Sequence, residues 1–547
     1  MAEHPEYLRA ILNAAIYDLA IETPLEHAIK ISAHLGARIL FKREDHQPVF
    51  SFKLRGAYNK LLKLSADERA RGVLAVSAGN HAQGVALAAK HLGIAALIVM
   101  PITTPSIKVD AVAAHGATVE LYGDSFDEAA KYGRQLSDQR GLTWVHPYDD
   151  FDVIAGQGTI GMELLRQAND IGAIFVPVGG GGLIAGIAAW VKTLRPAIKI
   201  IAVEPDDAAS LSAALRAGQP VDLAQVGLFV DGVAVKRVGA EPFRIAKTSV
   251  DACVQVTSDE VCAGIRDIYD ETRTVVEPAG ALALAGIKRF LADGGKVDGA
   301  LVAIICGANM NFDRLRHVAE RAQIGEQHEA VFGVQIPEKA GSFLSFCQAL
   351  GKRAITEFNY RMGAGPNADV FVGIALRRGA AERAEIAESL NLAGYQAQDF
   401  SENEVAKLHV RHLVGGRANF AEPEHLYRFE FPERPGALMD FLTALSGRWN
   451  ISLFHYRNHG AAYGRVLVGL NVSDAALPEL HAKLDQIGFA RVEETQNPAL
   501  KQFLGATSLA EQATRQTSLA EQATRQTSLA EQATRQTSLA EQATRQI

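Results

Sequence analysis

A chain of 547 residues exceeds what one hydrophobic core organises, and at roughly 100 to 200 residues per domain it implies about three or four cores. Its 48% hydrophobic and 21% charged residues describe a globular chain, and 55 Lys and Arg against 62 Asp and Glu, a net charge of -7, leave no basic stripe for nucleic acid. The apolar runs at 94–102 and 301–308 stop far short of the ~20 residues a bilayer span requires, so no membrane partner is expected either.

The first 25 residues carry acids within their apolar stretch and lack the basic start of an export signal. Cys253, Cys262, Cys306 and Cys347 are scattered without a CxxC pair, which argues against a disulfide framework and a structural zinc site and fits a reducing cytoplasm.

From about residue 35 to 310, apolar β-branched runs alternate with alanine-rich stretches of helical period. The strand candidates are RILFKR, GVLAVS, ALIVMP, TVELYG, IFVPVG, KIIAVEP and VAIICGA. That alternation predicts an α/β fold with a mainly parallel sheet, covered by helices on both faces and binding ligands where the strands end. Beyond it the chain repeats itself. PEKAGSFLSFCQALGKRAITEFNYR from Pro337 answers to PERPGALMDFLTALSGRWNISLFHYR from Pro432, each with a strand-like run, a loop glycine (Gly341, Gly436), an amphipathic helix and a second strand-like run. Two small α+β modules are expected, with a hairpin or loop at 361–368 and a connection at 414–425. From Thr507 to Gln546 the decapeptide TSLAEQATRQ occurs four times, and its ten-residue period lets the leucines drift around a helix instead of forming a stripe. A frayed helix or disordered tail is the expectation.

Four motifs carry chemistry. In Ser51-Phe52-Lys53-Leu54-Arg55-Gly56-Ala57 a lysine stands between apolar neighbours where an extended stretch gives way to a helix, and desolvation there would lower its pKa and make the amine nucleophilic. By itself the same pattern also suits a lysine that snorkels to solvent. In Ser77-Ala78-Gly79-Asn80-His81-Ala82-Gln83-Gly84, helix-start N–H groups after a strand suit a substrate carboxylate at Ser77, Ala78, Gly79, Asn80 and His81, or an ordinary capped turn. Gly179-Gly180-Gly181-Gly182-Leu183, between a buried strand and an apolar helix, suits a phosphate cup better than a linker. Cys306 ends another strand, where a thiol can face a ring nitrogen, although by itself it reads first as a buried structural cysteine.

Together and in this order, SFKLRGA, SAGNHAQG, VGGGGL, EPAGA (277–281) and CGANMNFDRLR resemble the fold-type-II, tryptophan synthase β-like pyridoxal-phosphate enzymes, most closely the threonine dehydratases. The resemblance spans residues 5–500, since the paired modules are similar to the ACT-like regulatory domains of the biosynthetic form. It implies a catalytic part at 1–325 made of two α/β subdomains, regulatory modules at 326–415 and 424–500, and a repeat tail at 507–546 outside the family.

By the same resemblance pyridoxal 5'-phosphate is the cofactor, Lys53 forms its Schiff base, Phe52 packs against its ring and Asn80 bonds the ring 3'-oxygen. Gly179, Gly180, Gly181, Gly182 and Leu183 hold its phosphate, and Cys306 faces the pyridine nitrogen without protonating it. The implied reaction is dehydration and deamination of L-threonine to 2-oxobutanoate and ammonia, with Lys53 as general base. The implied partners are isoleucine as inhibitor and valine as its antagonist at the C-terminal modules, in a cytoplasmic homotetramer.

Two departures from relatives qualify the resemblance. Serine racemases carry a second serine where this chain has Ala78, which disfavours racemisation. Cation-binding relatives use a Glu and a later Asp, whereas Glu204 is followed here by Asp206, Asp207 and Ser210, so no metal is expected. The competing readings are a serine or broad hydroxy-amino-acid dehydratase, since one methyl is worth only ~1–3 kcal/mol of discrimination, and an amino-acid-sensing protein without catalysis.

Overall fold

The computed structural model describes residues 4–496 except 103, 105, 124–125, 228, 316–317, 320, 323–328, 362–365, 404–422, 433–436, 446–447 and 458–462. The expectations placed on most of the 414–425 connection, on Gly436 and on the 507–546 tail lie outside these residues. The chain divides into two compact units, 1–326 and 327–547.

The first unit holds two sheets. The larger runs in the order Leu25–His27, Ile39–Arg43, Ala300–Ile305, Ile171–Pro177, Lys199–Pro205, Ala252–Val256, and every pairing is parallel except that of the short edge strand Leu25–His27. The smaller runs Thr118–Leu121, Ala96–Met100, Val73–Val76, Thr143–Trp144, all parallel. The seven apolar runs read from sequence are all strands here. Three further strands carry weaker signals: Leu25–His27 is a three-residue edge, Thr143–Trp144 has two residues, and Ala252–Val256 is a half-exposed edge.

Alternation explains how the smaller sheet is covered on both sides. Val73, Ala75, Ile98 and Met100 pack with the helices Lys53–Leu62 and Asn80–Leu92, while Leu74, Val76, Leu97 and Val99 pack with Ala129 and Leu136 of the helix Phe126–Arg140. Each of these larger side chains contributes about 1.5–3 kcal/mol of burial. The chain enters the smaller sheet's half through residues 44–53 and leaves it through 145–150. Lys53 opens the helix after the first passage, and Phe151–Gln167 is the helix after the second.

In the second unit the repeat is structural. Glu329–Pro337, Ser342–Leu350, Ile355–Arg361, Asn367–Ala375, Ala380–Leu392 and Gln396–Asp399 form one βαββαβ module, and Glu424–Pro432, Ala437–Leu445, Asn450–Arg457, Tyr463–Asn471, Leu477–Ile487 and Arg491–Glu493 form the other. Their sheets join edge to edge through antiparallel pairing of Ile355–Arg361 with Asn450–Arg457, giving eight strands over one shared core. Among the described residues no helix is long and apolar enough to cross a membrane.

Candidate active site

Lys53 is the first residue of its helix, behind Phe52 at the cap position. Its Nζ donates to Pro147 O at 3.1 Å and lies 5.2 Å from the Phe52 ring centroid. Desolvation lowers the amine's pKa to about 8, with Cys306 and Glu277 opposing the fall, so an appreciable share of it is uncharged near neutral pH.

Three backbone contacts bring other motifs to this lysine. Phe52 N donates to Cys306 O at 3.2 Å, Ser51 bridges Gly307, and Ala308 N donates to Phe50 O at 2.9 Å. Phe50 is one of two non-glycine residues among those described with positive φ (54°), so this segment holds backbone strain beside the lysine. Gly84 provides a fourth approach: a Cβ there would stand 3.2 Å from Lys53 C and Leu54 N, tighter than ordinary contact, so the glycine favours this close approach of the helix Asn80–Leu92.

The helix start at 80 leaves donors free. Among the described residues no acceptor faces the N–H groups of Ala78, Asn80, His81 and Ala82, while Gly79 N donates to Ser77 Oγ at 3.3 Å. Such a set suits a carboxylate. The His81 side chain is used elsewhere, its Nε2 bonding Val145 O at 2.9 Å, and burial together with nearby Lys53 lowers its pKa to about 3, so it is neutral. Asn80 donates from Nδ2 to Glu277 Oε1 at 2.6 Å and accepts at Oδ1 from Asn309 Nδ2 at 2.8 Å. Glu277 is buried, and desolvation, reinforced by Asp231, raises its pKa to about 7.

At the glycine loop, the N–H groups of Gly179, Gly180, Gly181, Gly182 and Leu183 likewise meet no acceptor among the described residues. The loop opens the helix Gly182–Leu194, with Gly181 at φ 90°. A Cβ on Gly180 would fall 2.2 Å from the Tyr148 ring, and one on Gly182 would fall 2.8 Å from Tyr148 O. These glycines therefore expose the donors and admit Tyr148 at the same time. Cys306, buried at the end of Ala300–Ile305, has its thiol pushed well up by desolvation and by Glu277, so it is neutral.

An amine of lowered pKa, a cradle of free N–H groups at a helix start, an oriented amide and a neutral thiol fit the needs of pyridoxal phosphate, with no cation required to hold it. Glu204 lies apart from this group. Its carboxylate accepts from Leu211 N at 2.7 Å and from Ser212 N and Oγ at 2.9 and 2.6 Å, so it serves the start of the helix Ser210–Ala217.

Behind Lys53 a buried ionic network fixes its helix. Arg55 donates from Nε and Nη2 to Glu44 at 2.7 and 2.8 Å and from Nη1 and Nη2 to Glu163 at 2.5 and 3.0 Å, and Lys42 Nζ donates to Glu163 at 2.5 Å. All four side chains are fully buried. Two cations and two carboxylates thus tie the Lys53 helix to the larger sheet and to the helix Phe151–Gln167.

Pro147, Tyr148, Glu277 and this network complete the site beyond the motif residues singled out from sequence. Glu277 stood inside a quoted motif without a role. Pro147 acts through a carbonyl, which leaves no residue signature.

Comparison with known proteins gives the same picture. Residues 16–307 match the family described as pyridoxal-phosphate dependent enzyme, and residues 320–410 and 415–504 each match the C-terminal regulatory domain of threonine dehydratase. The biosynthetic L-threonine dehydratase of Burkholderia multivorans is 53% identical over 508 residues, 92% of this chain and 100% of its own length. Among solved structures, processed threonine deaminase isoform 2 of Solanum lycopersicum aligns with TM-score 0.58 at 50% identity over 59% of this chain and 89% of its own. The serine racemase of Dictyostelium discoideum aligns with TM-score 0.53 at 32% identity over 56% and 99%.

Proposed function

Because the chain belongs to the pyridoxal-phosphate-dependent enzymes and, among them, to the biosynthetic L-threonine dehydratases, we propose that it converts L-threonine to 2-oxobutanoate and ammonia with Lys53 as the reacting amine. It is a lyase of the threonine ammonia-lyase type, acting at the first step of isoleucine synthesis. The observation that carries the assignment to Lys53 is its amine, tuned to about 8 by burial and facing Pro147 O within reach of the other motif residues.

Bound pyridoxal phosphate supplies an electron sink for the substrate's α-carbon. Lys53 is the residue that would hold the cofactor, and its amine, once free, would take the substrate's Cα proton. The free N–H groups of Ala78, Asn80, His81 and Ala82, with Ser77 beside them, would bind the substrate carboxylate, while Gly179, Gly180, Gly181, Gly182 and Leu183 would hold the phosphate. Asn80 would orient the ring through its hydroxyl, and Phe52 would pack against it. Cys306, as a neutral thiol, would face the ring nitrogen without protonating it, which would favour elimination over transamination. The β-hydroxyl departs as water, for which Lys53 can return the proton it took, and the released enamine tautomerises and is hydrolysed.

Residues 1–325 form the catalytic part in this reading, and 326–415 and 424–500 are regulatory. Isoleucine inhibits there and valine relieves the inhibition, in a cytoplasmic homotetramer. The two matches to the threonine dehydratase regulatory domain, over residues 320–410 and 415–504, support this reading. The direct test is 2-oxo-acid formation from L-threonine and from L-serine, each with and without isoleucine. Threonine turnover suppressed by isoleucine is expected, whereas equal kcat/KM for serine would favour the broad dehydratase, and isoleucine binding without turnover would favour a sensor.

A further inference from the structure

The turn that carries the chain back from the smaller sheet touches His81, the Lys53 amine and the glycine loop. Val145 O accepts from His81 Nε2 at 2.9 Å, and Pro147 O accepts from Lys53 Nζ at 3.1 Å. The Tyr148 ring lies against Gly180, and its backbone lies against Gly182. Asp149 accepts at its carboxylate from Ala240 N and Glu241 N, both at 3.0 Å, at the start of the helix whose preceding Gly239 N donates to Gly180 O at 3.0 Å. Asp150 caps the helix Phe151–Gln167 and pairs with Lys60 at 2.8 Å.

One side chain closes this turn on itself. His146 Nδ1 accepts from Asp149 N at 2.8 Å and from Tyr148 N at 3.3 Å, and its ring meets the Tyr148 ring edge-on at 4.7 Å. Accepting both bonds requires Nδ1 without a proton. We propose that His146 is a positioning residue: by accepting the Tyr148 and Asp149 N–H groups it sets the shape of the 145–150 turn, and so fixes the Lys53 amine and the glycine loop in one mutual geometry. The inference rests on the Lys53 and glycine-loop assignments above.

Desolvation, against the pull of Asp149 and Asp150, keeps the imidazole neutral, with its pKa lowered to about 4. The turn thus stays closed across the range in which Lys53 is active. A shift of the amine by as little as about 1 Å would be expected to cost on the order of 100-fold in rate.

The test compares His146→Ala and His146→Asn in the full chain. An Asn side-chain oxygen can accept N–H groups two and three residues on, as the imidazole does, and so can replace it. Pyridoxal-phosphate affinity is read by titrating the visible cofactor band, alongside kcat and KM for L-threonine at saturating cofactor and the thermal midpoint. His146→Ala is expected to weaken cofactor binding and lower kcat, each by about 10- to 100-fold, with KM for threonine little changed, and His146→Asn to restore most of both. If His146→Ala does not accumulate, His146→Leu takes its place with the same expectation. An alanine variant that loses only thermal stability, or an asparagine variant as impaired as alanine, overturns the proposal. Failure of the unsubstituted protein to form the band would instead overturn the cofactor assignment.

Discussion

Asn80 Nδ2 donates to Glu277 Oε1 at 2.6 Å, so the amide expected to meet the ring hydroxyl is held from behind by a buried acid. With its Oδ1 taken by Asn309 Nδ2, the amide cannot flip without breaking both bonds. Its second Nδ2 hydrogen is then the one available to a ligand oxygen.

Glu277 gives this arrangement a pH signature. Its folded pKa of about 7 lies above the ordinary 4.5, so the folded protein keeps a proton that the unfolded chain releases. Its contribution to stability is therefore fully present below about pH 4.5 and is lost as pH rises through 7, by about 3 kcal/mol at most. Glu277→Gln, which does not titrate, should gain in unfolding midpoint relative to the unsubstituted protein between pH 5 and pH 8. A constant difference between the two proteins across that range would contradict the raised pKa.

Gly180→Ala places a methyl 2.2 Å from the Tyr148 ring. Overpacking of this kind costs about 1–3 kcal/mol, and here it should appear first as weaker cofactor binding, because the displaced element is the loop that carries the free N–H groups. Adding Tyr148→Ala to this variant should recover part of the loss. An unaltered cofactor titration for Gly180→Ala would show that the loop tolerates the shift.

Arg55→Ala leaves the buried Glu44 and Glu163, which keep neutral donors from Tyr17, Thr23 and Gln47, with Lys42 as the remaining cation of the network. Breaking a buried pair in this way costs about 3–5 kcal/mol, and Arg55→Ala with Glu163→Gln should be less impaired than Arg55→Ala alone. Additive losses in urea denaturation would mean that the four charges do not act as one unit.

Ending the chain after residue 325 removes the second unit with its separate core. Turnover of threonine should persist and its suppression by isoleucine should vanish. Isoleucine inhibition that survives the truncation would place the effector site in the first unit.

Much of this was legible in the sequence because the physics is local. Six of the seven strands announce themselves as apolar runs since both faces of their sheets are covered, the seventh being the half-exposed edge Thr118–Leu121, and the repeat at Pro337 and Pro432 shows directly as two modules of the same βαββαβ order. What escaped is non-local. The edge strand Ala252–Val256 lacks the two-sided burial that makes a run apolar. His146 and Tyr148 belong to no motif, and only the fold lays the Tyr148 ring on Gly180, while Glu277 gains its raised pKa from the burial that tertiary packing imposes. Arg55 and Glu163, 108 positions apart, could not be paired from the sequence without the fold.

The central claim concerns the Lys53 amine. The decisive measurement is the absorbance spectrum of the full chain loaded with pyridoxal phosphate, compared with Lys53→Ala and followed by 2-oxo-acid formation from L-threonine. The unsubstituted protein should show the visible Schiff-base band and produce 2-oxobutanoate, and Lys53→Ala should lose both while keeping its fold by circular dichroism. A folded Lys53→Ala variant that retains the band or turns over threonine would contradict the account.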